Sequence, residues 1–315
     1  MKRAVIREVG LRDGLQLVTA DLPTERKLEW IEDAFAAGLR DIEVTSFVPP
    51  RTLPIFADAA TVAEFALRIG ELSPSALVVN LRGAQDAFAS GLRQVSYVIS
   101  ASETHSRANA RRTTDEALAE FGRIVALRDE LGLQDEVELS CGIATAFGCS
   151  LQGDVALDRV LQIGVELARL GACEIMLADT VGYAFPGQVE RAFGELRDRL
   201  PALRLSAHFH DTRGLGLANV SAALRTGITR FDASIGGLGG CPYAPGATGN
   251  VNTEDTAFLL ESEGFATGID IDRLIALRCK VESWLPGERF AGAIARAGLP
   301  VNASIVKELA QHDSR

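Results

Sequence analysis

The chain has 315 residues, a mass of 33.6 kDa and 47% hydrophobic residues, enough for one large domain or two small ones with a well-filled core. Lys and Arg total 32 against 42 Asp and Glu, a net charge of −10, which argues against general nucleic-acid affinity and leaves any polyanionic ligand to individually placed arginines. No stretch approaches a membrane-spanning apolar run, no apolar leader core follows Met1, and five cysteines lack framework spacing, so a reduced, cytoplasmic protein with no membrane partner is expected.

In chain order, β-like apolar runs alternate with helical patterns. Strands are predicted over 4–10, 41–47, 76–80, 95–100, 137–143, 173–179, 204–210 and 230–236. Helical segments lie between them, among them 24–37, 113–131, 155–170, 187–199 and 214–226. Pro23 and Thr24 open the first helix and Gly38 follows its end, the residue types that helix starts and stops favour. Eight strands with crossover helices fit an α/β fold of the closed (β/α)8 TIM-barrel kind better than an open doubly wound sheet. No GxGxxG opens a helix after the first strand, which weakens a dinucleotide fold further. Residues 1–268 are assigned to the TIM-barrel catalytic domain and 269–315 to a short helical extension packed on it.

A TIM barrel gathers its functional groups at the C-terminal ends of its strands. The first strand is expected to end in Arg12 and Asp13, the second carries Glu43, and the third ends in Asn80. The fourth runs into a loop, SASETHSRANARR, the sixth ends in Asp179 and Thr180, and the seventh in His208, His210 and Asp211. So many polar groups converging on one mouth are costly to desolvate without a ligand, although Asp179 or Asp211 alone would serve as loop caps. His208 and His210, two apart on a strand, leave the same face. An isolated pair of this kind is as often two core or surface histidines as a ligand pair. Here it is followed by the glycine-dense run IGGLGGCPYAPGATGN, whose composition lets backbone approach a ligand closely. Asp13, His208, His210 and Asn250 together offer two nitrogens and two oxygens without a thiolate. That set suits Mg²⁺ or Mn²⁺ with positions left for substrate oxygens, while Zn²⁺ or Co²⁺ stay open on ligand type alone. On a regular strand Arg12 points away from Asp13, and it reaches the mouth only if the chain turns, as Gly14 permits.

The segments VGLRDGLQ (9–16), IEVTSF (42–47), SASE (100–103), LADTVG (177–182), HFHDTRGLGLAN (208–219) and GLGGCPYAPGATGNVNTED (237–255) resemble those of the hydroxymethylglutaryl-CoA lyases. These belong to a wider group of metal-dependent TIM-barrel lyases and Claisen synthases. The resemblance implies metal ligation by Asp13, His208, His210 and Asn250, carbonyl polarisation by Arg12, and an acid/base network arranged by Glu43. It implies that Cys241 is the acid that protonates the departing enolate, and that Gln16, Asn80, Ser102, Asn109 and Thr180 join Arg12 and Glu43 in binding the acyl-CoA substrate. The implied reaction is retro-Claisen cleavage of 3-hydroxy-3-methylglutaryl-CoA to acetyl-CoA and acetoacetate, as in leucine degradation, in a homodimer. The alternatives are a condensing acyltransferase akin to isopropylmalate or homocitrate synthase, or a lyase for a different 3-substituted 3-hydroxyglutaryl-CoA.

Two stretches depart from that pattern. Cys149-Ser150-Leu151-Gln152-Gly153 stands where these lyases carry a CPYEG-type segment, and Ala108 precedes Asn109 where many have lysine. Arg107, Arg111 and Arg112 are candidates for gripping the CoA phosphates, or equally an exposed basic face. His105 is a substrate-contact candidate or a surface-loop histidine. Cys141, Cys149, Cys173 and Cys279 are read as packing or incidental thiols.

Overall fold

The computed structural model describes residues 2–240 and 249–300. A two-residue strand β1 (Lys2–Arg3) precedes β2 (Val5–Glu8), β3 (Asp41–Phe47), β4 (Ser73–Val78), β5 (Gln94–Ser100), β6 (Glu138–Ala144), β7 (Glu174–Asp179), β8 (Arg204–Phe209) and β9 (Arg230–Ala233). Strands β2 to β9 pair in sequence order, all parallel, and β2 pairs with β9 to close an eight-stranded barrel. β1 pairs separately with β10 (Phe265–Ala266).

Around the barrel lie α1 (Thr24–Ala36), α2 (Ala59–Leu67), α3 (Leu81–Ala89), α4 (Glu103–Ala110), α5 (Thr114–Glu130), α6 (Leu157–Leu170), α7 (Pro186–Arg199), α8 (Gly216–Arg225) and α9 (Thr253–Ser262). All but the short, polar α4, which buries His105 and Ser106, present an apolar stripe to the strands. α6, for instance, buries Val160, Leu161, Ile163, Gly164 and Leu167, the spacing of one helical face. α5 begins with a capping box, Thr113 and Glu116 each satisfying the other's backbone N–H. α10 (Ile271–Trp284) lies against α1, where Lys280 bonds Glu29 and Asp33 and Arg26 stacks over Trp284. The short α11 (Ile294–Ala297) follows. No helix among the described residues is long and apolar enough to cross a membrane.

Three local expectations are corrected. β2 stops at Glu8, and Arg12 and Asp13 lie in a wide turn, Gly10–Gly14, not on a strand. The Val9 carbonyl accepts from the N–H groups of Arg12, Asp13 and Gly14, so the chain coils on itself and the two-residue alternation no longer applies. The last barrel strand ends at Ala233, because Ile235–Gly237 forms a tight turn with Gly236 at φ 60°. Finally, the stretch after Ser100 is the helix α4 and not a loop. Ser102 caps its start and Arg111, left-handed at φ 55°, ends it. His105 is accordingly buried rather than a surface-loop residue, with Nδ1 2.9 Å from Ser100 Oγ.

Candidate active site

The metal-ligand candidates come from three places in the chain and meet at the C-terminal mouth. His208 is on β8 and His210 just beyond it. Asn250 reaches them because residues 249–251 pair antiparallel with 209–211: the Asp211 N–H donates to Gly249 O at 3.0 Å and the Val251 N–H to Phe209 O at 3.0 Å. Gly249 is required there. It sits at φ 90°, and a Cβ on it would lie 2.3 Å from Gly237 O. Asp13 enters from the Gly10–Gly14 turn.

His208 Nε2 and His210 Nε2 stand 3.1 Å apart, and Asp13 Oδ2 lies 3.9 Å from each. Donors 3.1 Å apart fit adjacent positions around one ion with bonds of about 2.1 Å. The Asn250 amide donates from Nδ2 to Asp13 Oδ2 at 2.8 Å and to Leu238 O at 3.1 Å. Its Oδ1 is left buried with no donor among the described residues. A buried acceptor without a partner is costly, and a cation is the partner such an oxygen suits. The residues present therefore fit a divalent ion.

The surroundings tune these groups. Burial opposes ionisation of Asp13, but Arg12 and the two histidines outweigh it and hold the carboxyl far below the usual carboxylate range. Burial likewise opposes protonation of His208, and here Asp232 and Asp13 prevail and raise it. Asp232, on β9, accepts from His208 Nδ1 at 3.1 Å, which turns Nε2 toward Asp13 and His210. Asp232 in turn accepts from Arg7 Nε at 2.8 Å, and Arg7 also faces Glu174 at 3.4 Å. Asp232 and Arg7 escaped the sequence reading. The signal was there, since Asp232 alternates with the apolar Phe231 and Ala233, which marks it as pointing into the barrel.

Arg12 is buried and doubly anchored: Nε donates to Glu43 Oε2, and Nη1 donates to Asp13 Oδ1 at 2.7 Å. Ser96 Oγ donates to the other Glu43 oxygen at 2.5 Å. Glu43 thus holds Arg12 from below. A cavity of about 410 Å³ opens over these groups, and Arg12, Asp13, Gln16, His208 and His210 line it. Asn80, Asn109 and Thr180 also lie on its wall. Asn80 additionally caps α3 by accepting from the Gly83 N–H, and Thr180 Oγ1 accepts from the Thr145 N–H. Ser102 is different: it is fully buried, caps α4, donates to Gln152 Oε1 and lies off the wall. Cys241 lies outside the described residues.

Of the departing stretches, Arg112 reaches the cavity, bonding Val79 O and Tyr97 Oη, whereas Arg107 pairs with Glu103 on the exposed face of α4. The 149–153 segment is a closed turn in which Cys149 Sγ accepts from the N–H groups of Leu151 and Gln152. Asp179 and Asp211 each accept a backbone N–H of their own loop, from Tyr183 and Gly216. A second concavity between α5 and α6, lined by Asp115, Arg159 and Glu166, carries none of the site groups.

The HMGL-like family model matches residues 3–281. The chain belongs to the HMGL-like family. Among this HMGL-like protein's relatives is a hydroxymethylglutaryl-CoA lyase of Bacillus subtilis, 41% identical over 275 residues, covering 87% of this chain and 91% of that one. An (R)-citramalyl-CoA lyase of Chloroflexus aurantiacus is 39% identical over 319 residues, covering 97% and 98%. An HMG-CoA lyase of Acinetobacter baumannii, solved with coenzyme A and 3-methylmalate, superposes with a TM-score of 0.88 at 38% identity, covering 95% of this chain and 96% of that one. The closed barrel of the HMGL-like chain is therefore the TIM-barrel fold of the HMG-CoA lyases.

Proposed function

We propose that the protein is a divalent-metal-dependent carbon–carbon lyase that cleaves 3-hydroxy-3-methylglutaryl-CoA to acetyl-CoA and acetoacetate. The observation that carries this reading is the convergence of Asp13, His208 and His210, with Asn250 and Arg12 bonded to the same carboxylate, at one barrel mouth. Asp13, His208, His210 and Asn250 would hold Mg²⁺ or Mn²⁺, whose Lewis acidity lowers the pKa of a substrate hydroxyl. A base takes the proton of that hydroxyl, the C2–C3 bond breaks, a ketone forms at C3 and the electron pair moves onto the thioester as an enolate. Arg12 is pre-set by Glu43 and Asp13, so it meets the growing charge on the enolate oxygen without reorganising. Cys241 returns a proton to C2, completing acetyl-CoA; an ordinary thiol pKa of about 8.5 suits that donation. Gln16, Asn80, Asn109 and Thr180 contact the substrate along the wall, and Arg112 is placed to meet an anionic part of it.

A second reading is supported by the near full-length match to the citramalyl-CoA lyase. Its substrate differs by one methylene between the carbinol carbon and the carboxylate, and the same bond cleavage releases pyruvate in place of acetoacetate. The test restores Mg²⁺ or Mn²⁺ to metal-stripped protein and follows acetyl-CoA release from each thioester, with the keto acid identified. Metal-dependent turnover of the hydroxymethylglutaryl ester, abolished in Cys241→Ala, supports the first reading. Preference for the citramalyl ester replaces it with the second. No cleavage of either ester by folded, metal-loaded protein refutes both.

A further inference from the structure

Glu8 is fully buried at the end of β2 and has no place in the chemistry above. Its Oε1 accepts from the Gly10 N–H at 2.8 Å and the Ile235 N–H at 3.0 Å, and its Oε2 accepts from Thr253 Oγ1 at 2.5 Å. The three donors sit on three separate segments. Gly10 opens the turn that presents Arg12 and Asp13, Ile235 opens the turn that leads toward Gly240, and Thr253 starts α9 directly after the Asn250 segment. One carboxylate therefore ties together the backbone on both sides of the Asp13–Asn250 contact.

A second buried acid braces the assembly. Both oxygens of Glu254 accept from the Gly236 N–H at 3.1 Å, on the turn that Glu8 holds through Ile235. There is no slack at Gly10 either: a Cβ there would lie 2.5 Å from Glu8 Oε1 and 2.7 Å from Trp30 Cζ2. Burial pushes the Glu8 carboxyl up to about 7 and Glu254 up to about 8, so neither acid is there for the stability of its charge.

We propose that Glu8 is a positioning residue for the metal centre, setting the separation of Asp13 from Asn250 through its bonds to Gly10, Ile235 and Thr253. The inference rests on the metal-dependent reading. It requires the geometry of three bonds and not the negative charge. Glutamine reproduces that geometry, its carbonyl accepting both amides and its NH₂ donating to Thr253 Oγ1.

The test is Mn²⁺ titration of metal-stripped protein by calorimetry, with a thermal melt on each variant. Glu8→Gln is expected to bind Mn²⁺ within about threefold of wild type. Glu8→Ala and the isosteric Thr253→Val are expected to bind about 10–100-fold more weakly, the range seen when the support behind a metal ligand is lost. A residue of merely structural importance would lower the melting temperature and the binding-competent fraction, but not the affinity of the folded molecules. Should Glu8→Ala fail to fold, Thr253→Val decides alone. Wild-type affinity in a folded Thr253→Val or Glu8→Ala overturns the positioning role while leaving the metal reading intact. Absence of Mn²⁺ binding by the wild type overturns the metal reading, and the positioning role with it.

Discussion

Asp232→Asn isolates the support behind His208. The carboxylate makes two bonds, to His208 Nδ1 at 3.1 Å and to Arg7 Nε at 2.8 Å. An amide keeps the volume, but it presents either a donor to Nδ1, which favours the wrong tautomer, or an oxygen of lower basicity. Loss of a carboxylate behind a ligating histidine costs about 10–100-fold in metal affinity, or about 1.4–2.8 kcal/mol. A second effect falls on stability, since Arg7 loses a charged partner in a buried site. Glu174 remains 3.4 Å away, so the loss is that of one charge-assisted hydrogen bond, about 2 kcal/mol, and not of an uncompensated charge. Calorimetric titration with Mn²⁺ reads the first effect and urea unfolding of the metal-free protein reads the second. Glu174→Gln separates them, because it strips Arg7 of its other partner without touching His208 and should lose stability while keeping its affinity. A folded Asp232→Asn that binds Mn²⁺ within twofold of wild type would refute the argument.

Three further outcomes are expected. Arg12→Lys keeps the charge but loses the planar fork that engages Glu43 and Asp13 together; kcat for the cleaved thioester should fall about 10²–10³-fold with KM little changed, and a kcat within tenfold would remove Arg12 from the chemistry. Burial raises Glu254 from 4.5 to about 8, so the folded state keeps a proton that the unfolded state gives up over that interval. This contribution is whole below about 4.5 and is lost as pH rises through about 8, by about 5 kcal/mol in full. Urea midpoints between pH 5 and 9 should therefore fall toward the alkaline end more steeply in wild type than in Glu254→Gln, and parallel curves would show that Glu254 is not the source. Finally, Mn²⁺ at 100 times its Kd should stabilise the wild type by about 2.7 kcal/mol, an increment that chelation removes and that His210→Ala never gains. An equal increment in that variant would place the ion elsewhere.

The amino-acid sequence by itself determined what is local. The eight barrel strands and their crossover helices were legible because burial imprints a period on adjacent residues, and strand ends erred by only a few positions. The shared face of His208, on β8, and His210, just beyond its end, followed from the same alternation. Tertiary structure decided what depends on pairing across long separations. The Gly10–Gly14 turn abandons the strand alternation because one carbonyl gathers three N–H groups, so both Arg12 and Asp13 reach the mouth. Asn250 joins His210 only through the antiparallel contact of 249–251 with 209–211. His105 reads as a polar loop residue until a helix capped by Ser102 carries it inward. Alternation points Asp232 into the barrel, but neither its place behind His208 nor that of Glu8 beneath the Gly10, Ile235 and Thr253 segments is written locally, since a buried carboxylate is defined by the donors that meet it. His208 meets Asp232 across the neighbouring β8–β9 pair, whereas Arg7 reaches Asp232, and Ile235 and Thr253 reach Glu8, only because β2 closes on β9.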